Sequence, residues 1–126
     1  MNPFCEAHIF ERNNNLILIG TSFYYGDLYF WDFENGSLNC KLSLNTEISD
    51  ICILNNDYIL AALNNKNSCE FTLINTNKSK VEKIFEGDNN NKNRICGIKN
   101  LKHKSKGQFI ITVFLDGKLN LYKINK

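Results

Sequence analysis

Residues 26–37 read GDLYFWDFENGS (Gly26-Asp27-Leu28-Tyr29-Phe30-Trp31-Asp32-Phe33-Glu34-Asn35-Gly36-Ser37). The stretch holds the only tryptophan of the chain, an aspartate directly after it, and an Asn-Gly turn signal three residues on. Two readings compete: a working site, or punctuation in a repeated strand pattern. On an extended backbone successive side chains face opposite ways. Leu28 and Phe30 then share one face, and Tyr29, Trp31 and Phe33 the other. A strand apolar on both faces belongs in a sheet sandwiched between neighbours. Asn35-Gly36 supplies the positive backbone dihedrals of a tight hairpin turn. The next residues, SLNCKLSL (37–44), alternate with Leu38, Cys40, Leu42 and Leu44 on one side.

The same order returns along the chain. A first strand is expected near 6–10, and NLILIGTS (15–22) is an apolar run ending in small residues. SDICIL (49–54), YILAAL (58–63), CEFTLIN (69–75) and KVEKIF (80–85) follow. After the polar segment EGDNNNKNR come ICGIKNL (95–101), FIITVF (109–114) and KLNLYKI (118–124). No apolar period of three to four residues runs far enough for a helix. With a single proline, Pro3, the turns must rely on Gly, Asn and Asp. The chain is expected to be all-β, with about eleven strands.

The ends of the third strands align at Trp31, Ile74 and Tyr122, 43 and 48 residues apart. A small-residue strand precedes each: LILIGTS, YILAALN and FIITVF. This pattern resembles the WD-repeat family, whose unit of ~40–45 residues makes one four-stranded propeller blade. LILIGTSFYYGDLYFWD (16–32) carries the closing pair Trp31-Asp32. FIITVFLDGKLNLYK (109–123) carries Asp116-Gly117 at the turn and Tyr122 in place of the tryptophan. The middle unit closes on Ile74-Asn75.

Two family features depart. The Gly-His pair is missing, with Ala7-His8 its nearest approach, and the turn aspartate is Tyr25 in the first unit. Such blades must rely on apolar packing and backbone ladders. Trp31 is then a structural mark, its ring presented to an adjoining blade.

The resemblance implies a single unit, 1–126, of three antiparallel blades at roughly 6–44, 48–86 and 94–125. The last is incomplete, so the whole is an open part of a propeller. Closed propellers have four to eight blades. A piece of a longer protein, pairing with another copy or a partner's propeller, and an irregular sandwich or barrel remain alternatives. The family's implied function is a non-catalytic protein–protein interaction scaffold. Exposed blade faces and the strand KLNLYKI could recruit a partner strand.

Composition fits a soluble globular domain, with 43% hydrophobic and 22% charged residues. No apolar run approaches the ~20 residues of a membrane span. The start lacks the pattern of a secretory signal, so the cytoplasm, or the nucleus, is the expected compartment. The five cysteines (5, 40, 52, 69, 96) are odd in number and scattered, against a disulfide framework or zinc knuckle. His8 and His103 have no partner at metal-ligand spacing. No Gly-x-Ser-x-Gly elbow or phosphate-cradling glycine loop is present. Cys96-Gly97 falls inside a strand, and the carboxylate pairs Glu6/Glu11 and Asp27/Asp32 read as solvated strand ends. No enzyme activity, cofactor or metal is expected.

Net charge is +2, but residues 1–75 carry −6 and residues 76–126 carry +8. Lys99, Lys102, His103, Lys104 and Lys106 cluster on one hairpin, with Lys92 and Arg94 just upstream. This basic 92–106 segment is the candidate partner-binding surface, for an acidic protein or, as the alternative, nucleic acid. The aromatic residues of a base-stacking surface are missing between 86 and 108.

Overall fold

The computed structural model describes residues 6–12, 14–22, 24–65, 68–86 and 95–124. These form eleven strands in chain order: β1 (Glu6–Arg12), β2 (Asn15–Ser22), β3 (Asp27–Asp32), β4 (Leu38–Ser43), β5 (Ile48–Ile53), β6 (Tyr58–Asn65), β7 (Ser68–Asn75), β8 (Lys80–Glu86), β9 (Ile95–His103), β10 (Gly107–Phe114) and β11 (Leu119–Ile124). They make three antiparallel meanders: a first sheet β1-β2-β3-β4, a second sheet β5-β6-β7-β8, and a third sheet β9-β10-β11. All-β architecture in three unclosed sheets is what the strand pattern predicts. The polar segment 87–94, including Lys92 and Arg94, lies outside the described residues.

Alternation decides what each sheet buries. Ile17, Ile19, Leu28 and Phe30 leave one face of the first sheet and meet Ile51, Ile59, Ala61 and Ile74 of the second. The opposite face of the second sheet sends Cys52, Leu60, Ala62 and Phe71 against Ile95, Ile98, Ile110 and Phe114 of the third. The core is therefore two slabs between stacked sheets. The middle sheet contributes to both, which is why β6 reads apolar at every position from Ile59 to Leu63.

The connections have their own chemistry. The turn after Trp31 is wider than the tight Asn-Gly hairpin expected. Only Gly36 has a positive φ, 69°. The backbone closes through Asp32 N–H to Ser37 C=O, 2.9 Å, and Gly36 N–H to Asp32 C=O, 2.9 Å. Gly26 is under a harder constraint. Its φ is +73°, and a Cβ there would stand 2.2 Å from the Thr46 carbonyl oxygen in the segment joining the first two sheets.

Replacing Gly26 by alanine forces that backbone apart as well as straining φ. Gly26→Ala should cost about 2–4 kcal/mol in urea denaturation. Gly36, with nothing within 4 Å of its missing Cβ, should cost only about 1 kcal/mol on the same change. Equal losses at the two sites would refute the contact with Thr46.

Candidate interaction surfaces

The aspartate of Trp31-Asp32 holds a turn. Its Oδ1 accepts from the N–H of Glu34 at 2.9 Å and of Asn35 at 3.4 Å. Four residues after Asp32, Gly36 takes the positive φ. The middle unit repeats the device. Asn75 Oδ1 accepts from Asn77 N–H (2.9 Å) and Lys78 N–H (3.1 Å), and Ser79 carries φ 52°. The β9–β10 hairpin repeats it with a different acceptor. His103 Nδ1 takes the N–H of Ser105 (3.2 Å) and Lys106 (3.1 Å), and Gly107 carries φ 98°. An acceptor at the first position and a left-handed residue four later make one turn from three side chains. An accepting Nδ1 requires the neutral ring with its proton on Nε2.

Trp31 lies on the face of the first sheet turned away from the second. It is half-buried and stacks on Tyr29, centroids 5.8 Å apart and 21° from parallel. Tyr122 points back to the second sheet, edge-on to Phe71 at 5.7 Å, as Ile74 points back to the first. Asp116-Gly117 makes the β10–β11 turn. Asp116 Oδ1 accepts from Lys118 N–H at 3.0 Å, and Gly117 has φ 86°.

The five basic-hairpin residues do not form one patch. Lys104 and Lys106 sit at the exposed turn, where His103 serves as its cap. Lys102, one residue before the end of β9, stands opposite Gln108. Lys99 is on the other face of β9, opposite Ile111. That face is the free side of the third sheet. Its middle row runs Lys99–Ile111–Leu121, flanked by Gly97–Val113–Leu119 and Leu101–Phe109–Lys123. Leu119 and Leu121 are 61% and 57% exposed. Several adjacent exposed aliphatic side chains on one sheet face mark an interaction surface more often than they mark chance. The outer edge of β11 is also without a strand among the described residues.

A polar seam joins the second and third sheets along β5 and β9, and sequence reading missed it. Asp50 Oδ2 accepts from Ile98 N–H at 2.9 Å, and Asn64 Oδ1 from Ile95 N–H at 3.1 Å. Ser49 Oγ donates to the Ile95 carbonyl. Asn100 Nδ2 reaches the Ile53 carbonyl at 3.1 Å, and Gln108 Nε2 holds Asn100 Oδ1 at 2.7 Å. The junction is therefore fixed in register as well as packed. Beside it lies an open depression of about 400 Å³ lined by Glu47, Ile48, Ser49, Asn64, Ile95, Cys96 and Leu115.

Other candidate groups have structural partners. Asp27, expected to be solvated, is buried; it accepts from Ser43 Oγ at 2.7 Å and lies 3.8 Å from Lys41 Nζ. His8 Nε2 lies 3.0 Å from Glu6 Oε1. Among the described residues no three His, Cys, Asp or Glu side chains come together as a metal site. No helix among them is long and apolar enough to cross a membrane. Cys40, Cys52 and Cys96 are free thiols, Cys52 buried and Cys96 exposed. Burial, with Asp50 nearby, pushes the Cys52 thiol up to about 12 from 9.0 against a smaller opposing effect of Lys99.

Among solved structures the chain is similar to Sqt1 of Saccharomyces cerevisiae, with a TM-score of 0.64 at 13% sequence identity. The alignment covers 89% of this chain and 29% of Sqt1. The fold is a WD-like partial propeller. The chain spans under a third of the length of Sqt1, and at this identity the likeness carries the fold alone. No protein-family model and no curated protein matches the chain.

The seam and the thiols give two expectations. Asp50→Ala leaves the Ile98 N–H without its acceptor at the junction and should cost about 1–3 kcal/mol in denaturant unfolding; a neutral result would remove the seam's role. Cys52 should resist a thiol reagent in the folded protein while Cys96 reacts. Because the folded thiol titrates above the unfolded one, its stabilising contribution is intact below pH 9 and shrinks as pH rises toward 12. Between pH 9 and 11 the wild type should lose about 1 kcal/mol per pH unit more than Cys52→Ala. Parallel pH curves would contradict this.

Proposed function

We propose that the chain is a non-catalytic protein-interaction scaffold. Its stacked sheets hold a basic hairpin and an apolar face in fixed positions. The observation that supports this most is where the chemistry-bearing side chains go. Asp32, Asn75 and His103 are consumed as turn caps. Asp50, Asn64 and Asn100 are consumed as junction bonds. Among the described residues, the hairpin tip and the free face of the third sheet then present charge and apolar area, the means of recognition. The WD-like fold favours the same reading by analogy. The cytoplasm or nucleus would be its setting, and whether the chain is a fragment of a larger propeller belongs to the same proposal.

The docking contact we assign to the hairpin is Lys102, Lys104 and Lys106, with His103 as the residue that shapes the turn and Lys99 acting from the sheet face. An acidic protein segment is the favoured partner. Nucleic acid is the second reading, since the same lysines could meet phosphates. The absence of aromatic residues between 86 and 108 tells against it.

Fluorescence anisotropy with a labelled oligo-aspartate peptide and a labelled single-stranded oligonucleotide, at physiological ionic strength, separates the two. The peptide should bind the wild type at least about tenfold tighter than the triple variant Lys102→Glu, Lys104→Glu, Lys106→Glu. Tighter oligonucleotide binding with a steep salt dependence would transfer the assignment to nucleic acid. No binding of either probe would remove the hairpin from the docking role.

A further inference from the structure

The two internal junctions share one addressing rule. Ile19 and Phe30, paired across β2 and β3, point to the second sheet. Leu60 and Leu73, paired across β6 and β7, point to the third. Ile111 and Leu121, paired across β10 and β11, hold the same place in the third sheet. No sheet stands beyond them among the described residues. Exposure follows the rule: Phe30 is 3% exposed and Leu60 7%, but Leu121 is 57%.

The other end of the array offers the complementary side. On the outward face of the first sheet Ile9, Leu18, Trp31 and Leu38 line up across all four strands. Ile9 and Leu38 are 54% and 45% exposed.

We propose that a second copy of this chain closes the array. The outward face of the first sheet of each copy stacks on the free face of the other copy's third sheet, giving a two-fold ring of six sheets. Three observations choose this occupant. The stack continues the two junctions already present in the same head-to-tail sense, so the next module is again a four-stranded sheet. Two arcs of three reach six, inside the four to eight blades at which propellers close, and a head-to-tail contact forms a closed ring when its rotation closes.

Charge also selects the direction. Residues 6–43, which span the first sheet, hold five acids and two bases, −3, and residues 95–124, which span the third, hold six bases and one acid, +5. First-on-third stacking sets acidic against basic, whereas third-on-third stacking would press Lys99 and Lys123 against their own copies. Lys99 occupies the place that Cys52 holds in the second sheet, opposite Ile111 as Cys52 is opposite Leu60. A lysine there calls for an acceptor on the covering sheet. Glu11, exposed on β1 and two residues from Ile9 on the same face, supplies one.

The proposal rests on the stacking rule and not on the hairpin, so the peptide-binding test and this one fail separately. Sedimentation velocity and light scattering on the 126-residue chain, over a roughly hundredfold concentration range, should give about twice 14.6 kDa. Ile9→Lys alone and Leu121→Lys alone should each yield monomers where the wild type is dimeric, with Leu119→Lys as the substitute should Leu121→Lys fail to fold by circular dichroism. Mixing the Ile9 and Leu121 variants should restore a dimer through the one junction left intact, at least about tenfold weaker than the wild type. A monomeric wild type at every concentration overturns the proposal. So does a dimer that Leu121→Lys breaks and Ile9→Lys leaves unchanged, which means third-on-third packing. Mass that keeps growing with concentration means an open stack and overturns the ring.

Discussion

Everything in this molecule depends on sheets stacked face to face. None of the three sheets can bury an apolar face alone; each slab exists only because a neighbour supplies its other half. The first slab, around Ile19, Leu28, Phe30, Ile59 and Ile74, is apolar on both sides. The second, around Leu60, Phe71, Ile98 and Phe114, has a polar seam along its inner strands. The difference has a physical consequence. Apolar contact is non-directional and tolerates sliding, whereas an aspartate bonded to one backbone N–H fixes a register. Stability in such an array is close to a sum over modules and junctions, so a loss at one junction can loosen one sheet without unfolding its neighbours.

Much of this was legible in the sequence. Alternation of apolar residues located the strands because each sheet face is either a slab or a surface. The spacing of Trp31, Ile74 and Tyr122 marked the three sheets; Ile74 and Tyr122 face the preceding sheet, and Trp31 holds the same place on the outward face of the first. The seam was not legible. Asp50 and Ile98, or Gln108 and Leu54, are about fifty residues apart in the chain, and an isolated Asp or Gln reads as solvated surface unless the stacking is already known. The burial of Asp27 was missed for the same reason, since its partners Ser43 and Lys41 come from the adjacent strand.

The turn after Trp31 was half legible. Asn35-Gly36 marked a turn, but the wrong one, because Asp32 competes for the local backbone. By accepting two N–H groups it stabilises a wider loop in which only Gly36 needs the left-handed region. The same geometry with Asn75 as acceptor explains why the middle unit looks degenerate by residue identity while its backbone does not, and His103 builds the turn again in a different hairpin, between β9 and β10. What the turn requires is a short side chain that accepts and a later residue tolerant of positive φ. Aspartate, asparagine and neutral histidine meet the first condition; glycine, and at some cost serine, meet the second.

The same distinction governs the basic hairpin. Four lysines and a histidine in one short stretch read as a single patch, because sequence proximity is the only geometry a sequence provides. A strand divides such a cluster by parity. Lys99 goes to the free sheet face among Ile111, Leu121 and Val113, and Lys102 to the opposite side. Lys104 and Lys106 stay at the tip, and His103 is spent on the backbone. The positive charge therefore serves two surfaces at once. At the tip it is a solvated knob whose attraction is long-range and screened by salt. On the face it is a lysine among aliphatic side chains, where any covering surface must bring a counter-charge or lose the contact. An apolar face edged in this way discriminates between partners, since a purely hydrophobic surface would leave Lys99 buried without an acceptor.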